Sequence, residues 1–340
     1  MDYGLLSRYR SQLMGAAMVW VMLFHAPDLA PQGSLPDLIR AAGFGGVDIF
    51  ILLSAMGLAL SLERRDQDYA AFLARRGERL LPAYFVVMVP YTLWLILAKG
   101  ATWSSLFWNA SLLYYWVRPS GAFNWYVAGA MTLYAITPFC FARLRCARNR
   151  EGLTAAACVA ALALCQLFTH EGYWHVTDLF FRVPVFFLGL LMGFYVGEGR
   201  RLSRRDYAFW AAALVVGGAY LYVSLTAIWE PWPIHFPECH LFLCTTVPMC
   251  LVLAFCLEHL PLGGLSQLLE LIGKNSLEIY LLNVSLFVPF QALPQGCPVP
   301  APVYYLGSIL LNIALGCLLH RLVEGGKAAW RERRKTAAAR

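Results

Sequence analysis

Residues 44–62 read FGGVDIFILLSAMGLALSL, a run in which Asp48 is the one ionisable side chain. The run is apolar all round and offers no polar face to water. Its length is close to the roughly 20 residues that a helix needs to cross a bilayer. Segments of the same kind recur at about 11–27, 81–98, 121–142, 153–169, 179–197, 207–228, 239–258, 275–290 and 303–323. The chain of 340 residues is 59% hydrophobic and 14% charged, whereas soluble domains have about 45–50% and about 25%. One or two cores of this size cannot hide that many apolar side chains. The composition therefore excludes a soluble globular enzyme, a disordered chain and a small disulfide scaffold. The runs are continuous instead of alternating, which argues against a transmembrane barrel. The expected fold is all-α, a polytopic membrane bundle of about ten transmembrane helices.

Charge placement orients this bundle. With the N-terminus inside, the pieces 1–10, 63–80, 143–152, 198–206, 259–274 and 324–340 face the cytoplasm and hold 22 of the 27 Lys and Arg residues. The external loops hold Arg40, Lys99 and Arg118, while Arg182 and Arg321 lie within spans. This positive-inside asymmetry places both termini in the cytoplasm. Counting the short aromatic segment 104–117 as a span would move four basic loops outside, so an interfacial or re-entrant piece is expected there. The net charge of +7 is thus spread by topology and gives no sign of nucleic-acid binding. Residues 1–323 read as one membrane domain and 324–340 as a basic cytoplasmic tail. Arg8 and Arg10 precede the first apolar run as in a secretory leader. No small-residue cleavage pattern follows before Pro27, so a retained span is expected. Most of the ten cysteines fall within spans as small hydrophobes; Cys239 and Cys297 lie near external loops, either paired or as free thiols.

Polar groups in hydrocarbon are costly, and each is a candidate for function. His25 ends the first span and Asp48 begins the second, at similar depths near the outer face. A His–Asp pair there would fix the imidazole tautomer and make His25 a general base. The plainer alternative is an interfacial histidine and a capping aspartate. Arg76 and Arg79 share a helix face on the cytoplasmic side, either as a phosphate clamp or as an ordinary positive-inside cluster. Arg182, near the outer face, gains nothing from that rule and calls for a carboxylate or carbonyl partner. Glu278 either has a role or merely faces the inner interface. Trp125 and Tyr126 are either belt aromatics or binding residues. His170, His175, His235 and His240 lack the spacing of a metal site, so no metal is expected.

In chain order these features resemble the acyltransferase-3 family of integral membrane acyltransferases over nearly the whole length. Gly15–His25, GAAMVWVMLFH, is similar to the family's first helix with its essential histidine. Gly45–Leu58, GGVDIFILLSAMGL, resembles its glycine–acid–aromatic–serine helix, and Arg75–Phe85, RRGERLLPAYF, resembles its RxxR element. Asn124-Trp125-Tyr126, Arg182–Gly193 (RVPVFFLGLLMG) and Gly273–Leu282 resemble three further motifs. Two positions depart from the pattern. Met14 stands where members usually carry a basic residue, with Arg10 one turn earlier, and Asn283 stands where many have a histidine.

The resemblance implies a bacterial cytoplasmic (inner) membrane enzyme of the stand-alone type, without a fused esterase-like domain. It implies acyl-CoA, chiefly acetyl-CoA, as co-substrate, with no permanently bound cofactor. The acceptor would be a hydroxyl of a glycan or glycolipid at the outer face. His25 and Asp48 are then the expected catalytic residues, with Asp48 orienting His25. Arg76, Arg79 and Arg10 would bind the donor, and Arg182, Trp125, Tyr126, Tyr280 and Asn283 the acceptor. The rival expectation is a multi-span carrier for a small polar substrate or acyl group.

Overall fold

The computed structural model describes residues 1–65, 68–117, 123–226, 242–290 and 298–338. Among them every regular element is a helix. An isolated backbone bridge joins Asp2 to Arg201. Eight stretches of described helix are long and apolar enough to cross a membrane. Two shorter apolar helices, Arg10–Phe24 and Ser276–Phe287, lie where the first and ninth spans are expected. The helices around the site are α1 (Arg10–Phe24), α2 (Gly46–Arg64), α3 (Tyr69–Lys99), α4 (Trp125–Cys146), α5 (Trp174–Phe180), α6 (Val183–Gly197), α7 (Gly263–Lys274), α8 (Ser276–Leu282) and α9 (Ala301–Ala338).

Helix α2 is the hub. Nearly every residue from Gly46 to Leu60 is buried, which is why this segment is apolar on all sides. It packs on α1, α4 and α6. Gly189 and Gly193 of α6 lie against the α2 backbone at Leu52 and Met56 and against the methyl groups of Ala55 and Ala59. Association in lipid depends on close packing more than on a hydrophobic drive, so small residues at the crossing matter.

A second close crossing joins α1 to α7. Gly15 meets the Leu269 backbone, and a Cβ at Gly273 would fall on the Ser11 carbonyl. Overpacking costs typically about 1–3 kcal/mol, and here a backbone would have to move. Gly273→Val is therefore expected to lower the thermal unfolding midpoint in detergent and the yield of monodisperse protein. An unchanged midpoint would mean that α1 and α7 do not depend on this contact.

The outer faces call for lipid. The apolar helix Arg204–Leu225 buries only Trp210 and Gly217. Val215 is 69% exposed on it, and Leu310 on α9 is 68% exposed. Helices this apolar with this little protein cover are stable only where hydrocarbon surrounds them.

Segment 104–117 forms two short helices, Ser104–Ala110 and Tyr114–Val117, neither long enough to span. Helix α9 runs without a break through position 324 to Ala338, so the basic tail extends the last helix. The eight described cysteines are free thiols. Cys239, Cys297, His235, His240 and Arg118 lie outside the described residues.

Candidate active site

Helix α1 ends at Phe24, with His25 as its C-cap. Pro27 and the left-handed Asp28 (φ 60°) follow and turn the chain away. The His25 ring folds back on the last turn, with Nδ1 2.9 Å from the Val21 carbonyl oxygen. A carbonyl oxygen only accepts, so Nδ1 carries the proton and Nε2 keeps its lone pair. That is the tautomer a general base needs. His25 opens into a cavity of about 780 Å³ also lined by Asn124, Trp125, Asp178, Arg182 and Tyr280. Four of the expected residues, His25, Trp125, Arg182 and Tyr280, thus meet in one chamber.

Asp48 does not orient His25. Fully buried in the first turn of α2, it lies 3.4 Å from Nε of Arg182. The backbone carbonyl of Val21 takes the orienting role instead. The His25 ring already has a partner four residues back on its own helix, whereas Asp48 is the buried carboxylate that Arg182 meets among the described residues. Arg182 is itself 4% exposed, and its Nε makes no hydrogen bond. Its Nη1 donates to the Asp178 carbonyl at 2.5 Å and its Nη2 to the Phe44 carbonyl at 3.5 Å. Its guanidinium lies over the rings of Phe181 and Trp125, at 4.4 Å and 4.9 Å from their centroids. The expectation of a carboxylate or carbonyl partner for Arg182 is met by both kinds. Asp48 positions this arginine, whose loosely bonded Nη2 can turn to developing negative charge in the chamber.

A line of shared walls leads inward from the chamber. Val47 and Tyr280 also line a smaller pocket of about 60 Å³ whose other lining residues include Met14, Arg79 and Tyr126. The Tyr126 ring meets Tyr280 edge-on at 5.2 Å. Tyr126, expected with the acceptor, therefore sits on the inner side, one layer closer to the arginines. Asn283 is 3% exposed in the π-helical turn Asn283–Phe287 and does not line the chamber. Its neighbours Tyr280 and Val284 do. An acceptor role for Asn283 would have to be indirect.

At the N-terminal end of α1, Arg10 lines a polar hollow of about 330 Å³ with Ser61, Arg64 and Arg65. Arg76 reaches the same place, its Nη2 donating to Ser61 Oγ at 3.1 Å. The charge of Arg10 is close enough to feel both Arg76 and Arg79. No ion pair neutralises Arg10, Arg76 or Arg79 among the described residues. The Nε atoms of Arg10 and Arg76 are buried without a hydrogen-bond partner. Converging cations of this kind are costly unless an anion joins them. The departure at Met14 is thereby accommodated. Methionine lines the inner pocket, and Arg10 brings its charge to the cluster from one turn earlier.

Glu278 does not simply face the interface. It is 4% exposed, and His320 of α9 stands 3.1 Å away. The sequence reading did not single out Asp178, Trp174 and Asn124 as lining residues. The usable signal was the spacing of four between Asp178 and Arg182, which puts both on one face of a continuing helix. No group of three or more metal-ligating side chains occurs among the described residues.

Comparison with known proteins adds three findings. The acyltransferase-3 family model, described as an acyltransferase domain, matches residues 13–321. A protein of Komagataeibacter xylinus that carries the name membrane-bound transacylase BcsY is 27% identical over 279 residues, covering 75% of this chain and 68% of its own. No solved structure matches the chain significantly.

Proposed function

The chain belongs to the acyltransferase-3 family, and on that premise we propose that it moves an acyl group, in the first instance acetyl, from cytoplasmic acyl-CoA to a hydroxyl of a glycan or glycolipid at the outer face. It is a multi-pass membrane acyltransferase; its bacterial inner-membrane location is part of the proposal. The carrying observation is the single helix α1, which has at one end an arginine with a buried Nε that makes no hydrogen bond and no ion pair among the described residues, and past the other a base-competent histidine. Arg10 and His25 are fifteen residues apart, about 22 Å at 1.5 Å per residue. A nucleotide phosphate at the arginines and a thioester at the histidine require a long flexible arm between them, and pantetheine is such an arm. The inner pocket beside Arg79, Tyr126 and Tyr280 is the path it would follow.

In the proposed step, His25 Nε2 takes the proton from the acceptor hydroxyl. The hydroxyl oxygen attacks the thioester carbonyl, and Arg182 stabilises the oxyanion. The new C–O bond forms, the C–S bond breaks, and the thiolate leaves and takes the proton from the imidazolium.

In sealed inside-out vesicles, acyl-CoA added outside should be consumed without permeabilisation while the acceptor is trapped in the lumen. A need for both substrates on one face would overturn the sidedness. Arg76→Ala and Arg79→Ala are each expected to raise the donor KM by about ten- to hundredfold, the scale of a hydrogen bond to a charged group, with kcat little changed. A lowered kcat at unchanged donor KM would remove these arginines from the phosphate site. Release of coenzyme A by the purified protein also separates transfer from a carrier function.

A further inference from the structure

We propose that a narrow apolar pocket between α2, α4 and α6 receives the alkyl end of the transferred acyl group and limits that group to acetyl. This rests on the acyl-transfer reading given above. The pocket has a volume of about 10 Å³, and its walls include Ala55 and Leu58 of α2, Ala130 and Leu133 of α4 and Phe186 of α6.

Its position is the first reason for the assignment. Trp125 lines both this pocket and the outer chamber. Ser54, Tyr126 and Tyr134 line both this pocket and the inner pocket on the donor path. It therefore borders both spaces that a thioester would pass between on its way to His25. The Arg182 guanidinium lies over the Trp125 ring at 4.9 Å. A thioester carbonyl oxygen turned to Arg182 leaves its alkyl substituent beside Trp125, at the edge of this pocket.

Chemistry and size supply the rest. Alanine, leucine and phenylalanine walls offer no hydrogen bond, so a polar acyl end would lose its water without gaining a partner. On the measure by which a single water needs roughly 10–15 Å³, the space admits one small group, a methyl and not a chain. The walls are held in place. Gly189 of α6 seats against the Leu52 carbonyl and the Ala55 methyl of α2, and Ala55, Leu133 and Phe186 are buried. A core packed this closely resists added methylenes.

The test uses the full-length protein in detergent, without acceptor, and calorimetric affinity for coenzyme A, acetyl-CoA and butyryl-CoA. The wild type is expected to bind acetyl-CoA about tenfold or more tighter than butyryl-CoA, the least that one misfitting methylene costs in an apolar pocket. Leu133→Ala takes an isopropyl group from the wall, more than the ethyl group by which butyryl exceeds acetyl. It should bring butyryl-CoA to within about twofold of acetyl-CoA, since the cavity left behind is then filled. Ala130→Val crowds the same wall and should bring acetyl-CoA to within about twofold of free coenzyme A. Butyryl-CoA bound as tightly as acetyl-CoA by the wild type, or a preference unchanged in folded Leu133→Ala, would overturn the pocket and leave the acyl-transfer reading standing. Binding of none of the three would overturn both. The wild-type comparison stands even where a variant does not fold.

Discussion

His25→Ala is expected to lower acyl transfer by about 10²–10⁴-fold, the usual contribution of a positioned general base, while the protein folds and still binds its donor. His25 is only partly buried and its ring bonds to its own helix, so removing it leaves no distant partner stranded. Arg10, Arg76 and Arg79, proposed to bind the donor, stand at the other end of α1, so the donor KM should change little. His25→Gln is expected to be almost as inactive, because an amide can take the hydrogen-bonding place of the ring but not its proton. The measurement is initial-rate coenzyme A release at saturating donor. Retention of more than about a tenth of the wild-type rate, an effect below the general-base scale, would take the base role away from His25.

Asp48→Ala is expected to act mainly on stability. Removing one partner from a buried ion pair leaves the other charge uncompensated and costs about 3–5 kcal/mol. Arg182 would then keep two backbone carbonyls, two aromatic faces and the half-exposed Asp178 carboxylate 3.9 Å away. The double change Asp48→Ala/Arg182→Met should recover much of that loss, because no buried charge remains unpaired; Asp178, which loses Arg182, is half exposed. It should stay inactive, because the proposed oxyanion partner is gone. Thermal unfolding of both single variants and the double variant supplies the cycle that isolates the pair. If Asp48→Ala were as stable as wild type and lost activity in the manner of His25→Ala, Asp48 would instead serve the histidine.

Depth and side were legible in the sequence. The apolar run lengths located the helices, and the arginine-rich loops separated an inner from an outer end. Together they put His25 and Arg182 near one face and Arg76 and Arg79 near the other. The lone outer Arg182 announced that it needed a partner, because an unsatisfied charge in a membrane protein is costly wherever it occurs. Rotation about the helix axes was not legible. A run apolar on all sides, such as residues 44–62, has no periodic signal to say which neighbour Asp48 faces. Gly189 and Gly193 settle it by drawing α6 onto the α2 backbone, which carries Arg182 to Asp48 across 134 positions of sequence. His25 was then left to the carbonyl of Val21, a backbone partner that no side-chain pattern encodes. Asp178 reaches the chamber by the same crossing, because it stands one turn ahead of Arg182 and follows wherever that arginine is placed. Sequence alone determined a membrane bundle with a histidine at one end and cations at the other. Tertiary structure decided the pairings, because side-chain partners in a bundle of wholly apolar helices are set by close backbone contacts at glycines.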